Sequence, residues 1–132
     1  MLTSYDFQTA SIVDSVGIDM ILVGDSVSMV NMGESNTVSV TMDEMIHYSK
    51  CVTKNPLKAF TIGDMPFGSY EHCDKDAIKN AIRFLKEGKV DGVKLEGNRS
   101  STIRKIVDSG VPVMGHIGLT PQHISKIGGF KY

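Results

Sequence analysis

Short apolar segments alternate with amphipathic ones along the whole chain, and this alternation constrains the fold most strongly. Five segments predict β-strands, at residues 1–4, 20–23, 58–63, 92–96 and 111–116. Helical periodicity is found near 6–16, over 42–54 behind a Thr41–Glu44 capping box, over 77–85 ahead of Gly88, and over 103–107 ahead of Gly110. Because parallel strands cannot be joined by a tight turn, the alternation predicts a parallel α/β fold.

The alternation leaves two architectures open, an open doubly wound sheet and a (β/α)8 barrel. A complete barrel typically needs about 250 residues. This sequence has 132 residues and five predicted strands, so it would form the first five strand-helix units of a TIM barrel. We expect residues 1–132 to form a single domain, a partial barrel.

Composition narrows the classes of partner. The chain is 41% hydrophobic and 22% charged with a net charge of -1, and its charges are mixed, which predicts a globular protein that binds small molecules rather than nucleic acid. No apolar run reaches the roughly 20 residues of a membrane span, and no signal peptide is evident. Cys51 and Cys73 lack metal-type spacing, so we expect reduced thiols and a cytoplasmic protein.

Polar residues recur where the predicted strands end. They are Asp25 and Ser26 after the second strand, Asp64 after the third, Lys94 and Glu96 in the fourth, and His116 at the end of the fifth. In a parallel strand-helix fold the carboxyl ends of all strands lie on one face, which hosts active sites. These residues are therefore expected to meet around a ligand.

Structural roles compete with this interpretation. An aspartate after a strand commonly caps a helix or stabilises a turn, which would explain Asp25 or Asp64 alone. In "VKLEG" Lys94 and Glu96 share one face of the strand, whereas a covered parallel strand is expected to be almost wholly apolar. Two charges in such a strand indicate either a buried ion pair or a ligand site.

Three carboxylates near one lysine suit a hard divalent cation. Magnesium prefers oxygen ligands and takes one or two protein carboxylates, a role that Asp25 and Asp64 fit. His116 has neither a cysteine nor a second histidine beside it, which argues against zinc. Hydrogen bonding to a substrate or to the strand end is the expected role of His116.

Several stretches, in order, resemble ketopantoate hydroxymethyltransferases. They are "LTSYD", "DMILVGDSVSMV", "GDMPFGSY", "GVKLEG", "VPVMGHIGLTPQ" and "GGFK". The resemblance implies a (β/α)8 barrel of the phosphoenolpyruvate/pyruvate superfamily. It also implies transfer of a hydroxymethyl group from 5,10-methylenetetrahydrofolate to 3-methyl-2-oxobutanoate, giving 2-dehydropantoate for pantothenate and coenzyme A synthesis.

The resemblance also implies roles for individual residues. The Mg²⁺ site falls on Asp25, Asp64 and Glu96, the last directly or through water. The keto-acid contacts fall on Asp25, Ser26, Asp64, Lys94 and His116. The metal would stabilise an enolate formed at C3, while Lys94 offsets negative charge on the substrate.

The departures from the family pattern lead to further expectations. The family barrel has three more strands, which carry the glutamate that acts as general base, so we assign no catalytic base in this chain and expect it to be inactive alone. We expect either a homo-oligomer, as in the family, or a complementing C-terminal segment. A related carbon-carbon lyase and a non-catalytic truncated product with residual metal or keto-acid binding stay open as alternatives.

Overall fold

A computed structural model describes residues 1–129 of the chain. The predicted alternation of strands and helices is confirmed. The elements are β1 (Leu2–Thr3), α1 (Phe7–Ser15), β2 (Met20–Val23), α2 (Val27–Val30), α3 (Met42–Val52), β3 (Phe60–Asp64), α4 (Asp74–Lys86), β4 (Gly92–Glu96), α5 (Ser100–Asp108), β5 (Val113–His116), a 3₁₀ turn (Pro121–His123) and α6 (Ile124–Ile127). The last two residues of the "GGFK" stretch lie outside the described residues.

The five strands form one parallel sheet in the order β1-β2-β3-β4-β5. In a doubly wound sheet the strand order reverses at a switch point, and no reversal occurs among these strands. Because strand-helix-strand crossovers are almost always right-handed, four crossovers in sequential order place the crossover helices on one face of the sheet. The order therefore selects the barrel architecture.

The hydrophobic core lies between the sheet and its helices. It includes Ile21 and Val23 of β2, Val93 and Leu95 of β4, and Phe84 of α4, all fully buried. A Cβ atom at Gly63 would lie 2.3 Å from the Phe84 ring, so only glycine lets α4 approach β3 this closely. The opposite face of β3 carries Asp64, one residue further along the strand.

The Thr41–Glu44 capping box is confirmed at the start of α3. The Glu44 amide donates to Thr41 Oγ1 at 3.3 Å, and the Thr41 amide donates to Glu44 Oε2 at 2.8 Å. These two bonds satisfy main-chain donors that the first turn of a helix leaves free. The helix ends at Val52, two residues before the predicted end.

Three predicted strands are shorter than expected. The first is confined to Leu2–Thr3, the third begins at Phe60, and the fifth begins at Val113. The amides of Lys58 and Ala59 donate to Asp14 Oδ1 at 2.8 and 2.7 Å instead of joining the sheet, and Pro112 has no amide to offer. The described residues include no helix long and apolar enough to cross a membrane.

Candidate active site

The residues predicted at the strand ends do converge. Asp64 and Lys94 are register partners of adjacent strands, as are Glu96 and His116. Asp25 lies just beyond β2, and its amide is 3.3 Å from Asp64 Oδ2. Asp25, Asp64, Lys94 and Glu96 are each at most 6% exposed. Four ionisable side chains are thus buried together at the carboxyl edge of the sheet.

Lys94 lies at the centre of this cluster. Its Nζ is 2.9 Å from Asp64 Oδ1 and 3.3 Å from Glu96 Oε1. The prediction that Lys94 and Glu96 share one face of β4 is confirmed, because Val93 and Leu95 point into the core on the other face. Lys94 and Glu96 therefore form the buried ion pair that was one of the two interpretations of these charges. An ion pair at this position is compatible with ligand binding by the same residues.

His116 completes the cluster from β5 and is half-buried. Its Nδ1 lies 3.3 Å from Lys94 Nζ and 3.2 Å from Glu96 Oε1. The two contacts require different protonation of the same atom, because Nδ1 accepts from Lys94 only without a proton and donates to Glu96 only with one. Through Nδ1, His116 therefore hydrogen-bonds either Lys94 or Glu96, according to its tautomer, but not both at once.

The electrostatics of the site favour a cation. Burial raises the pKa of Asp64 well above its usual range, and the neighbouring Asp25 raises it further against the opposing effect of Lys94. Burial also raises the pKa of Asp25, outweighing the Gln122 hydrogen bond and the Lys94 charge. Burial alone would lower the pKa of Lys94, but Asp64 and Glu96 outweigh it and the pKa is raised. The single positive charge of Lys94 therefore does not fully balance the buried carboxylates of Asp25 and Asp64.

Asp25 and Asp64 are the residues that could hold a metal ion. Asp64 Oδ1 is buried and accepts no hydrogen bond, because the contact with Lys94 is short but not well directed for one. Glu96 has both oxygens engaged, Oε1 by Lys94 and His116 and Oε2 by the Gln122 amide at 3.1 Å. Within residues 1–129 no group of three or more His, Cys, Asp or Glu side chains is arranged to hold an ion. Two carboxylates with an orphaned acceptor fit magnesium, which keeps several water ligands.

Ser26 and Asp25 do not serve as side-chain caps of α2. Ser26 occupies the N-cap position but makes no capping hydrogen bond, and its Oγ instead lies 2.8 Å from the Tyr5 hydroxyl. Asp25 Oδ2 accepts from Gln122 Nε2 at 2.9 Å. The helix-capping alternative is therefore not supported for Asp25. The roles of Asp25 and Ser26 in metal and keto-acid binding stay predictions.

Sequence reasoning assigned no role to two residues of this site. Gln122, in the 3₁₀ turn after β5, contacts Asp25 and Glu96, and Tyr70, in the loop after β3, donates to Gln122 Oε1 and accepts from the Glu96 amide. Both residues fall inside quoted stretches, "GDMPFGSY" and "GHIGLTPQ". A glutamine and a tyrosine in irregular loops carry no periodicity that would mark them as buried.

The family model for ketopantoate hydroxymethyltransferase matches residues 1–132. The chain belongs to this family. It is 53% identical over 133 residues to the 3-methyl-2-oxobutanoate hydroxymethyltransferase of Syntrophomonas wolfei subsp. wolfei, covering 99% of this chain and 48% of the relative. It is 52% identical over 132 residues to that of Alkaliphilus metalliredigens, covering 98% of this chain and 47% of the relative. This ketopantoate hydroxymethyltransferase family member thus spans about half the length of the curated relatives it matches.

Solved structures match the fold of this family member. A crystal structure of oxaloacetate acetylhydrolase superposes with a TM-score of 0.68 at 15% identity, covering 86% of this chain and 46% of that one. A 2,3-dimethylmalate lyase, a member of the PEP mutase/isocitrate lyase superfamily, superposes with a TM-score of 0.65 at 15% identity and the same coverage. At such identities the likeness shows the fold alone. The predicted TIM-barrel class is confirmed, with five strand-helix units in this chain.

Proposed function

We propose that this chain contributes to the transfer of a hydroxymethyl group from 5,10-methylenetetrahydrofolate to 3-methyl-2-oxobutanoate, giving 2-dehydropantoate in pantothenate and coenzyme A synthesis. The observation that carries the proposal is the buried cluster of Asp25, Asp64, Lys94 and Glu96 in a chain that matches the family over its whole length. The proposed reaction is that of the family to which the chain belongs. The buried carboxylates and lysine of the cluster suit the binding of a 2-oxo acid.

We propose that Asp25 and Asp64 hold Mg²⁺, with Glu96 connected to it through water because both of its oxygens are engaged. The raised pKa of both aspartates supports this assignment, because a divalent cation relieves the repulsion between two buried carboxylates. When bound, Mg²⁺ supplies Lewis acidity that favours loss of a proton from C3 of a 2-oxo acid.

The chain's own residues would bind and orient the keto acid. Lys94 presents a buried positive charge at the site and offsets the charge of the substrate carboxylate. The Ser26 hydroxyl, free of helix capping, is available as a donor to the same carboxylate. His116 is the partly exposed member of the cluster, so one of its ring nitrogens can donate a hydrogen bond to substrate.

The carbon-carbon bond would form between C3 of the enolate and the methylene carbon of the folate. Water supplies the hydroxyl oxygen, and the carbon-nitrogen bonds to the methylene group break to release tetrahydrofolate. We place the base that removes the C3 proton outside residues 1–129, because Asp25 and Asp64 are the proposed metal ligands and Glu96 has both oxygens engaged. The 132-residue chain alone would then bind the keto acid without turning it over.

Organisation and location form part of the same proposal. We propose that residues 1–132 make one domain, which the single sheet and single core support. We also propose association, either as a homo-oligomer or with a segment that supplies further strand-helix units. The exposed Ile117 and Leu119 beyond β5 support it, because large apolar side chains favour burial. Two free thiols, Cys51 and Cys73, are in keeping with a cytoplasmic location.

The test is binding of 3-methyl-2-oxobutanoate to the 132-residue chain, measured by isothermal titration with and without Mg²⁺. We expect binding that requires Mg²⁺, at least tenfold weaker in Asp64→Asn because one of two ligands is lost, and unchanged in Asp108→Asn, an exposed aspartate at the end of α5. Equal binding by Asp64→Asn and wild type would refute the metal site. Formation of 2-dehydropantoate by the chain alone would refute the external base.

A further inference from the structure

Gln122 is an almost fully buried polar side chain, 2% exposed, that the chemistry above leaves without a role. It lies in the 3₁₀ turn after β5. Its side chain contacts two other loops, one that follows β2 and one that follows β3. Nε2 donates to Asp25 Oδ2 and to the Met65 carbonyl, both at 2.9 Å, and Oε1 accepts from the Tyr70 hydroxyl.

The orientation of this carboxamide is fixed by its partners. Both Nε2 hydrogens face acceptors, Asp25 Oδ2 and the Met65 carbonyl, while Oε1 faces the donor of Tyr70. The Tyr70 hydroxyl in turn accepts from the Glu96 amide at 3.2 Å, so its hydrogen is directed to Gln122. A reversed amide would set oxygen against a carboxylate and a carbonyl. The Gln122 carboxamide that donates to Asp25 is therefore fixed by hydrogen bonds at both its nitrogen and its oxygen.

We propose that Gln122 is a positioning residue for the metal site, which holds the Asp25 carboxylate by Oδ2 and leaves Oδ1 available to the ion. This inference rests on the proposed function, because it assumes that Asp25 binds Mg²⁺. The Gln122 main-chain amide also donates to Glu96 Oε2 at 3.1 Å, so one residue restrains two carboxylates of the cluster.

A neutral amide suits this task better than a charged donor. It restrains the rotamer of Asp25 and keeps the carboxylate's full charge for a cation, whereas a second lysine would neutralise it. The cluster already contains one buried cation, Lys94. Partners that orient a metal ligand commonly contribute about 10- to 100-fold to metal affinity.

The test compares Gln122→Met, which keeps the length of the side chain and removes its hydrogen bonds, with wild type and with Gln8→Met, an exposed glutamine of α1. Mn²⁺ stands in for Mg²⁺, and its binding is followed through loss of the free-ion electron paramagnetic resonance signal. Circular dichroism melting without metal reports folding separately. We expect Gln122→Met to bind Mn²⁺ about 10- to 100-fold more weakly while still folded, and Gln8→Met to match wild type.

Wild-type affinity in a folded Gln122→Met would overturn the inference and leave the metal site standing. Absence of Mn²⁺ binding by wild type would overturn both. If Gln122→Met does not fold, Tyr70→Phe decides, because it removes the donor that fixes Oε1 and so frees the carboxamide to turn away from Asp25. A folded Tyr70→Phe with weakened Mn²⁺ binding supports the inference, and one with wild-type binding overturns it.

Discussion

Replacing Lys94 with methionine tests how the charged cluster is balanced. The change keeps an apolar chain of similar length and removes the charge that lies 2.9 Å from Asp64 and 3.3 Å from Glu96. At an effective dielectric constant of 20, each pair is worth about 5 kcal/mol before desolvation is subtracted. Leaving buried partners uncompensated costs about 3–5 kcal/mol in comparable cases. We expect Lys94→Met to lose that amount of unfolding free energy at pH 7.5.

The loss has a defined pH dependence. Lys94 lowers the pKa of Asp64, so its removal raises that folded-state pKa further. A carboxyl group whose pKa is higher in the folded state than in the unfolded state retains its proton preferentially on folding, so stability falls as pH rises between the two values. The deficit of Lys94→Met should therefore be smaller at pH 5 than at pH 7.5. Each pKa unit corresponds to about 1.4 kcal/mol.

Urea denaturation at both pH values measures the deficit. The matched control is Lys105→Met, because Lys105 pairs with Asp74 at a largely exposed site where an ion pair is worth about 0–1 kcal/mol. Equal losses in the two variants, or a Lys94→Met deficit that does not change with pH, would refute the argument that buried charge balance governs this site.

Two further changes test the fold around the site. Gly63→Ala should lower unfolding free energy by about 1–3 kcal/mol in thermal melts, because the new methyl group overlaps the Phe84 ring, whereas Gly115→Ala, with its nearest neighbour 3.6 Å away, should cost less. An unchanged unfolding free energy for Gly63→Ala would contradict the close approach of α4 to β3 at this position. Thr41→Ala should lower it by about 1 kcal/mol through loss of the α3 cap, and Thr41→Ser should preserve stability; equal losses would exclude a capping role.

Local patterns in the sequence predicted the parts of the structure that depend on local physics. The period of two in β4 placed Lys94 and Glu96 on one face, and the Thr41–Glu44 spacing marked the start of α3. The convergence of Asp25 and Asp64 followed from the rule that parallel strands end on the same face. None of these inferences required knowledge of which strands are neighbours.

Properties set by distant partners were not predicted from the residue pattern. The residue pattern left both the barrel and the doubly wound sheet open, because the strand order that separates them is not visible in the sequence. The start of β3 was misplaced because Asp14, 44 residues away from Lys58, takes its amide. Gln122 was missed for the same reason, since its side chain is held by the loops after β2 and β3, which are distant in the sequence.

The bond between Gln122 and Asp25 joins residues 97 positions apart in the chain. During synthesis on the ribosome, the two aspartates leave the exit tunnel long before the amide that restrains one of them. The earlier strands can pair as they appear, but the acidic cluster lacks its restraint until the 3₁₀ turn arrives. If Asp25 binds a divalent ion as proposed, tight binding of that ion would then follow the emergence of residues 121–123.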